Sequence, residues 1–309
     1  MRIVLVASFV ALIVSVAQAD SWADGESVLS MARSLCGGIS NEISNVSGVA
    51  KVNTAVTGVG TIVGGGALYA GIKKSSVDAE IERLEQILCA NGGCDAASVE
   101  RMSPGEFMEN VAEPLAEIAH LIQMKEQSKK LGNWRTGLLV GASATHVASA
   151  IMSGINKNQS ELAQHISACN AAIEQLKNTK RQMLSNDAGV MNSSVYSKIN
   201  SVINSCDAID LADVAKIEKR EKVVMGASIA GGAAAVTGAI TSASANSPKT
   251  RADDSDAGKR REKSLNTASN VLAGVSMAGS GVSTGFNISL ITLTKKMMER
   301  AEKCERAFE

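Results

Sequence analysis

The chain has 309 residues, and its 31 Lys and Arg balance 31 Asp and Glu, for a formal net charge of zero. That balance excludes binding to nucleic acid or another polyanion by overall charge. Two Trp, two Tyr and four Phe against 27 Gly leave packing to small and aliphatic side chains, which argues against a large enzyme core; only three Pro occur, so long uninterrupted helices are permitted.

At the start of the chain, Arg2 precedes the apolar run Ile3 to Val16, and Ala17-Gln18-Ala19 supplies the small-x-small pattern of signal peptidase. This predicts a secretory signal over residues 1–19, because the apolar run is short for a span. Residues 20–309 are then expected to form a single all-helical domain.

Four stretches lack Asp, Glu, Lys and Arg: Val52 to Ile72, Thr136 to Asn156, Val223 to Pro248 and Ser264 to Thr294. Each is rich in Gly, Ala, Ser, Thr and Val and is bounded by basic residues such as Lys73-Lys74, Lys130 and Arg135, or Lys295-Lys296. Asn53-Thr-Ala-Val-Thr-Gly58, Asn133-Trp-Arg-Thr-Gly137 and Asn266-Thr-Ala-Ser-Asn270 resemble one another, which points to helical repeat units near 40–90, 104–185, 193–246 and 262–308. Charged tails follow with helical periodicity: Val77, Ile81, Leu84 and Leu88 share one face. Similar patterns run through Phe107–Met124, Leu162–Leu176 and Ile199–Ile217, and breaks fall at Asn91-Gly92-Gly93, Asn186–Gly189 and a polar loop over 247–261. No period-two strand pattern is present. The predicted class is all-α, an antiparallel bundle of about four long helices with Gly/Ala/Ser-rich centres.

Glycine costs about 1 kcal/mol against Ala inside a helix, so its density here calls for close helix approach. Gly60 and Gly64, Gly137 and Gly141, Gly274 and Ala278, and Gly281 and Gly285 are four apart, the spacing of small-xxx-small helix contacts in lipid. These stretches resemble glycine-zipper membrane segments, a resemblance of packing motif that implies no activity. All four are long enough to cross a hydrocarbon core of about 30 Å. By composition the second is the weakest span and the third the strongest.

Six cysteines in an exported chain suggest disulfides. An up-down-up-down order puts Cys36, Cys169, Cys206 and Cys304 at one end and Cys89 and Cys94 at the other. The pairs expected from that order are Cys89–Cys94, Cys169–Cys206 and Cys36–Cys304.

Signals for chemistry are weak. Gly281-Val-Ser283-Thr-Gly285 matches a nucleophile elbow, but no strand precedes it. Glu161, His165 and Cys169 share a helical face without a paired metal motif, and Asp207, Asp210 and Asp213 lack the glycine and bidentate Glu of a calcium loop. His120 and His146 have no partner at a suggestive spacing. Neither catalytic nor metal nor cofactor residues are therefore assigned, and no cofactor or nucleic-acid partner is expected. The expected protein is a non-enzymatic component of the cell envelope, associating with membrane lipid and with itself or another envelope protein. The alternative is a soluble periplasmic or secreted helical interaction protein held by disulfides.

Overall fold

The computed structural model describes residues 21–90, 104–154, 158–186, 193–207, 209–251 and 255–309. The predicted signal, the Asn91-Gly92-Gly93 break and Cys94 lie outside them, as does the side chain of Cys89. The helices are α1 (Ser21–Cys36), α2 (Ile39–Ala90), α3 (Pro104–Gly154), α4 (Asn158–Asn186), α5 (Ser194–Cys206), α6 (Leu211–Ala245), the short α7 (Pro248–Arg251) and α8 (Asp256–Ala307). No strand occurs among the described residues. The fold is all-helical, and the two middle segments read from the sequence are each divided, into α3 and α4 and into α5 and α6.

Local chemistry sets several of these ends. Gly37 and Gly38 separate α1 from α2, and Gly38 takes a φ of +88°, which is open to glycine without a Cβ clash. The first turn of α2 is then held by a distant carboxylate: Gly38 N and Ser40 N donate to Glu305 Oε1 at 3.1 and 3.0 Å, and Ser40 Oγ to Oε2 at 2.7 Å. Helix N-termini leave unpaired N–H groups and a partial positive charge, so an anion is favoured there. Ser193 caps α5, accepting from Tyr196 N at 3.1 Å.

The chain divides into two compact units. Among the described residues, the first comprises those within Met1–Lys51, Ile155–Arg220 and Ile288–Glu309, and the second those within Val52–Gly154 and Glu221–Asn287. The division cuts across helices, since α2, α6 and α8 each contribute to both.

The first unit has an apolar interior. Ile39, Ile43, Leu162, Ile166, Leu176, Ile199, Ile217 and Leu290 are all fully buried in one cluster, with Met297 and Phe308 beside them. Burying side chains of this size is worth about 1.5–3 kcal/mol each, so this unit has the ordinary driving force of a globular protein in water.

The second unit is built differently. On α2 a buried series runs through Asn53, Thr57, Gly60, Gly64, Ala67, Gly71 and Lys74, with Ala70 and Leu84 buried outside it. On α3 the series is Ser128, Gly132, Arg135, Leu139, Ala142, His146 and Ser149. The same alternation of threes and fours runs through Val224, Ser228, Gly231, Ala235, Gly238, Ser242 and Ala245 on α6, and through Asn266, Ser269, Ala273, Ser276, Ser280, Ser283 and Asn287 on α8. That alternation is the a/d spacing of helices packed side by side with knobs in holes. Leu139 and Val224 are the only large apolar residues in these four series.

Cross-helix partners within this unit run in opposite order. Thr57, Gly60, Gly64 and Gly71 of α2 meet Thr284, Ser280, Met277 and Asn270 of α8. On α3 and α6, Gly132, Arg135, His146 and Ser149 meet Asn246, Ser242, Gly231 and Ser228.

Candidate functional site

The residues that stand out chemically line the interior of the second unit. Of the nineteen buried polar or charged residues among the described ones, sixteen belong to it; of the twenty exposed large hydrophobics, eighteen do. Its polarity is therefore reversed relative to a water-soluble domain, in which buried polar groups are the exception. Val52, Val59, Ile62, Tyr69 and Ile72 form the outward stripe of α2, and Val271, Val275, Val282 and Phe286 that of α8.

The buried polar groups are stacked in hydrogen-bonded layers. Ser149 and Ser228 are 2.8 Å apart, Ser228 and Ser283 3.1 Å, and Thr284 donates to Thr57 at 2.9 Å. His146 Nε2 lies 3.1 Å from the Ser276 carbonyl and 3.0 Å from Ser280 Oγ. A carbonyl can only accept, so this contact puts the ring proton on Nε2. Arg135, with no exposed surface, donates to Ser242 Oγ, Asn270 Oδ1 and Asn266 Oδ1 at 2.9, 3.0 and 2.8 Å. Lys74, equally buried, pairs with Asp78 at 2.6 Å and Glu262 at 3.3 Å. Each cation thus has its compensating acceptors, as burial of charge requires.

The sequence marked Lys74 and Arg135 only as flanks of charge-free stretches, and gave His146 no role. The signal that finds them is the alternation of threes and fours traced through small and polar residues instead of apolar ones.

The predicted glycine seam divides. A Cβ on Gly60 would fall 2.6 Å from Thr145 Oγ1, and one on Gly64 3.2 Å from Met277 Cα, so both sit where helices approach closely. Gly141 faces Val63 at 3.4 Å. Gly137, Gly274, Gly281 and Gly285 have nothing within 4 Å, so they make none of the expected contacts within the chain. The reason is geometric: fixed steps of four drift off a face that follows threes and fours. The tightest backbone approach instead joins Gly279 to α6, where a Cβ would lie 2.9 Å from Ala227 O and 3.0 Å from Gly231 Cα.

The cysteine pairing also differs from expectation. Cys36 joins Cys169 and Cys206 joins Cys304, in place of Cys169–Cys206 and Cys36–Cys304. The four do gather within the first unit, and the sulfurs of Cys36, Cys169 and Cys304 lie within 4.8 Å of one another. Proximity was thus legible from helix order, whereas the pairing depends on which Cβ vectors face each other. With its sulfur in a disulfide, Cys169 offers no thiolate beside His165, whose Nδ1 lies 2.9 Å from Glu42 Oε1.

The remaining motif residues are held by ordinary structural partners. Ser283 lies inside α8, fully buried, with its hydroxyl 3.3 Å from the Val224 carbonyl, and no strand-to-helix turn exposes it. Asp213 binds Lys216 and Arg300, Asp207 binds Lys177, and Asp210 accepts from Ala212 N. His120 is exposed on α3.

Three helical stretches, 25–87, 119–154 and 194–245, are long and apolar enough to cross a membrane, the second being the least apolar and the third the most. The fourth expected span, Ser264 to Thr294 in α8, is long enough but falls short in composition, because its buried face is Asn and Ser. No known protein family, curated protein or solved structure matches this chain.

Proposed function

We propose that the chain is a non-enzymatic membrane protein of the cell envelope, exported through its N-terminal signal, whose second unit is an antiparallel four-helix bundle embedded in lipid. The observation that supports this is the reversed polarity of that unit. In water, eighteen exposed large apolar side chains around an interior of Ser, Asn and Gly would forfeit the hydrophobic driving force. In lipid the outward apolar faces are solvated by acyl chains, and small-residue packing with interhelical hydrogen bonds holds the helices together. The outward stripe on α2 from Val52 to Ile72 spans about 30 Å at 1.5 Å per residue, the thickness of a hydrocarbon core. On this reading α8 is a fourth span with its polar face turned inward.

Self-association extends the proposal. Gly281 and Gly285 lie on the outer side of α8 with nothing within 4 Å, one helical turn apart, and would admit a helix of a second copy.

A carbonate wash of membranes from cells expressing the full chain tests the embedding: retention in the pellet is expected. Release into the wash would replace it with the soluble interaction-protein reading. In a retained protein, Gly281→Leu with Gly285→Leu should shift the detergent-solubilised species to lower mass. Unchanged mass removes the self-association.

A further inference from the structure

One cavity in the second unit is not accounted for by helix packing. It has a volume of about 550 Å³ and is bounded by α2 from Ser75 to Glu85, α3 at Lys125 and Ser128, Arg251 of α7, and α8 from Lys259 to Thr267. This lies within the range of about 300–1,000 Å³ typical of small-ligand sites. On α2 and α3 the lining lies beyond the charge-free stretch. On α8 it runs from Lys259 to Lys263 outside the stretch and ends on Asn266 and Thr267 just within it, so the cavity stands where the apolar exterior gives way to charged residues.

Among the described residues its charges do not balance: five cations and four carboxylates line it, and Lys74 ion-pairs with two of those carboxylates, which leaves two positive charges in surplus. Asp78 and Glu262 hold Lys74, while Glu85 holds Lys125 at 2.7 Å and Lys259 at 3.6 Å. Three cations remain without a carboxylate among the described residues. Among the described residues, Arg260 donates to the Asp256 carbonyl, Arg251 donates to Asn246 while its buried Nε has no partner, and the Lys263 ammonium has no partner. Among the described residues, the one lining carboxylate outside these ion pairs is Glu82. Two guanidinium groups and an ammonium lining one cavity are donors matched to a phosphate, and a phosphomonoester carries about −1.5 to −2 charge at neutral pH, which balances the surplus.

We propose that this cavity binds a phosphomonoester, presented as the head group of an anionic lipid. The position at the edge of the apolar exterior favours lipid over a free phosphate, because basic pockets between spanning helices meet head groups at that depth. The inference rests on the membrane reading for its lipid source and on the cavity alone for its phosphate.

The test uses the full chain purified in detergent, with short-chain phosphatidic acid, phosphatidylcholine and inorganic phosphate as separate probes and bound ligand counted by native mass spectrometry. Phosphatidic acid should bind about tenfold more tightly than phosphatidylcholine, and Arg260→Gln with Lys263→Gln should remove about that factor, as loss of charge-assisted hydrogen bonds implies. Glu82→Gln, which deletes the opposing charge, should tighten binding, a gain that a misfolded variant cannot produce. Equal binding of inorganic phosphate and phosphatidic acid overturns the lipid source and leaves a free-phosphate site. No preference for either over phosphatidylcholine overturns the inference outright. The carbonate wash reads the membrane proposal separately, so either can fail while the other stands.

Discussion

The two units share α2, α6 and α8 and obey opposite rules. In the first, Ile, Leu and Met fill the interior and two disulfides tie distant segments together. In the second, Ser, Gly, Asn and single buried cations fill the interior while Ile, Val and Trp face outward. A helix continuous through both, such as α8, changes the chemistry of its buried face along its length, from Asn266, Ser276 and Ser283 to Leu290, Met297 and Ala301. The difference shows that a buried helical face is defined by spacing, while the surroundings decide which residue types belong on it.

The strongest way to break the comparison is to remove what only the first unit has. Replacing both cysteine pairs by alanine should destabilise that unit by about 2–4 kcal/mol per bridge, because each closes a long loop, with sequence separations of 133 and 98. Hydrogen exchange in detergent should show faster exchange in α4 and α5 while protection across Thr136 to Ala150 persists; equal loss in both units would show that they do not unfold independently. Next, Gly279→Leu drives a side chain into the backbone of α6, and overpacking of that kind costs about 1–3 kcal/mol, expected here at the upper end. A drop in the midpoint of SDS-induced unfolding checks it, with Gly274→Leu, where nothing lies within 4 Å, as a variant expected to unfold at the parental midpoint.

A smaller loss is expected for Glu305→Ala, which strips the anion from the first turn of α2 at a cost of about 1–2 kcal/mol. It should lower the first unit's melting temperature alone. The smallest effect concerns Lys177, whose ammonium is held above the ordinary lysine range by its hydrogen bond to Asp207 and then by Glu174. A raised lysine pKa contributes stability that is fully present below the unfolded value and lost as pH rises through the folded one. Lys177→Met should therefore cost under about 1 kcal/mol at neutral pH, given the exposure of the pair, and nothing once the parent protein is held above the raised pKa. A loss that persists at that pH would place the contribution in packing instead.

Much of the helical fold was legible in the sequence. Three prolines and four charge-free stretches led to long helices, and the tail periodicities placed Ile81, Leu84 and Leu162 on helices. The cysteines that helix order brought together are together. The glycine pairs were less informative: steps of four selected Gly60 and Gly64, which lie against Thr145 and Met277, but also Gly137 and Gly281, where a Cβ would have nothing within 4 Å. Apolar periodicity could not find the interior of the second unit, since the residues that repeat there every three and four are Ser, Ala, Gly and Asn.

What the sequence determined by itself is the all-helical class and the length of the apolar and small-residue stretches, because helix propensity, proline exclusion and charge spacing act locally along the chain. The tertiary structure alone decided which side of each helix is inside, that Arg135 and Lys74 are buried against Asn266, Asn270 and Asp78, and that Cys36 bonds to Cys169. Those outcomes depend on partners far away in the chain, and a serine or an arginine carries no sign of its own that says whether another helix will supply the hydrogen bonds it needs to be buried.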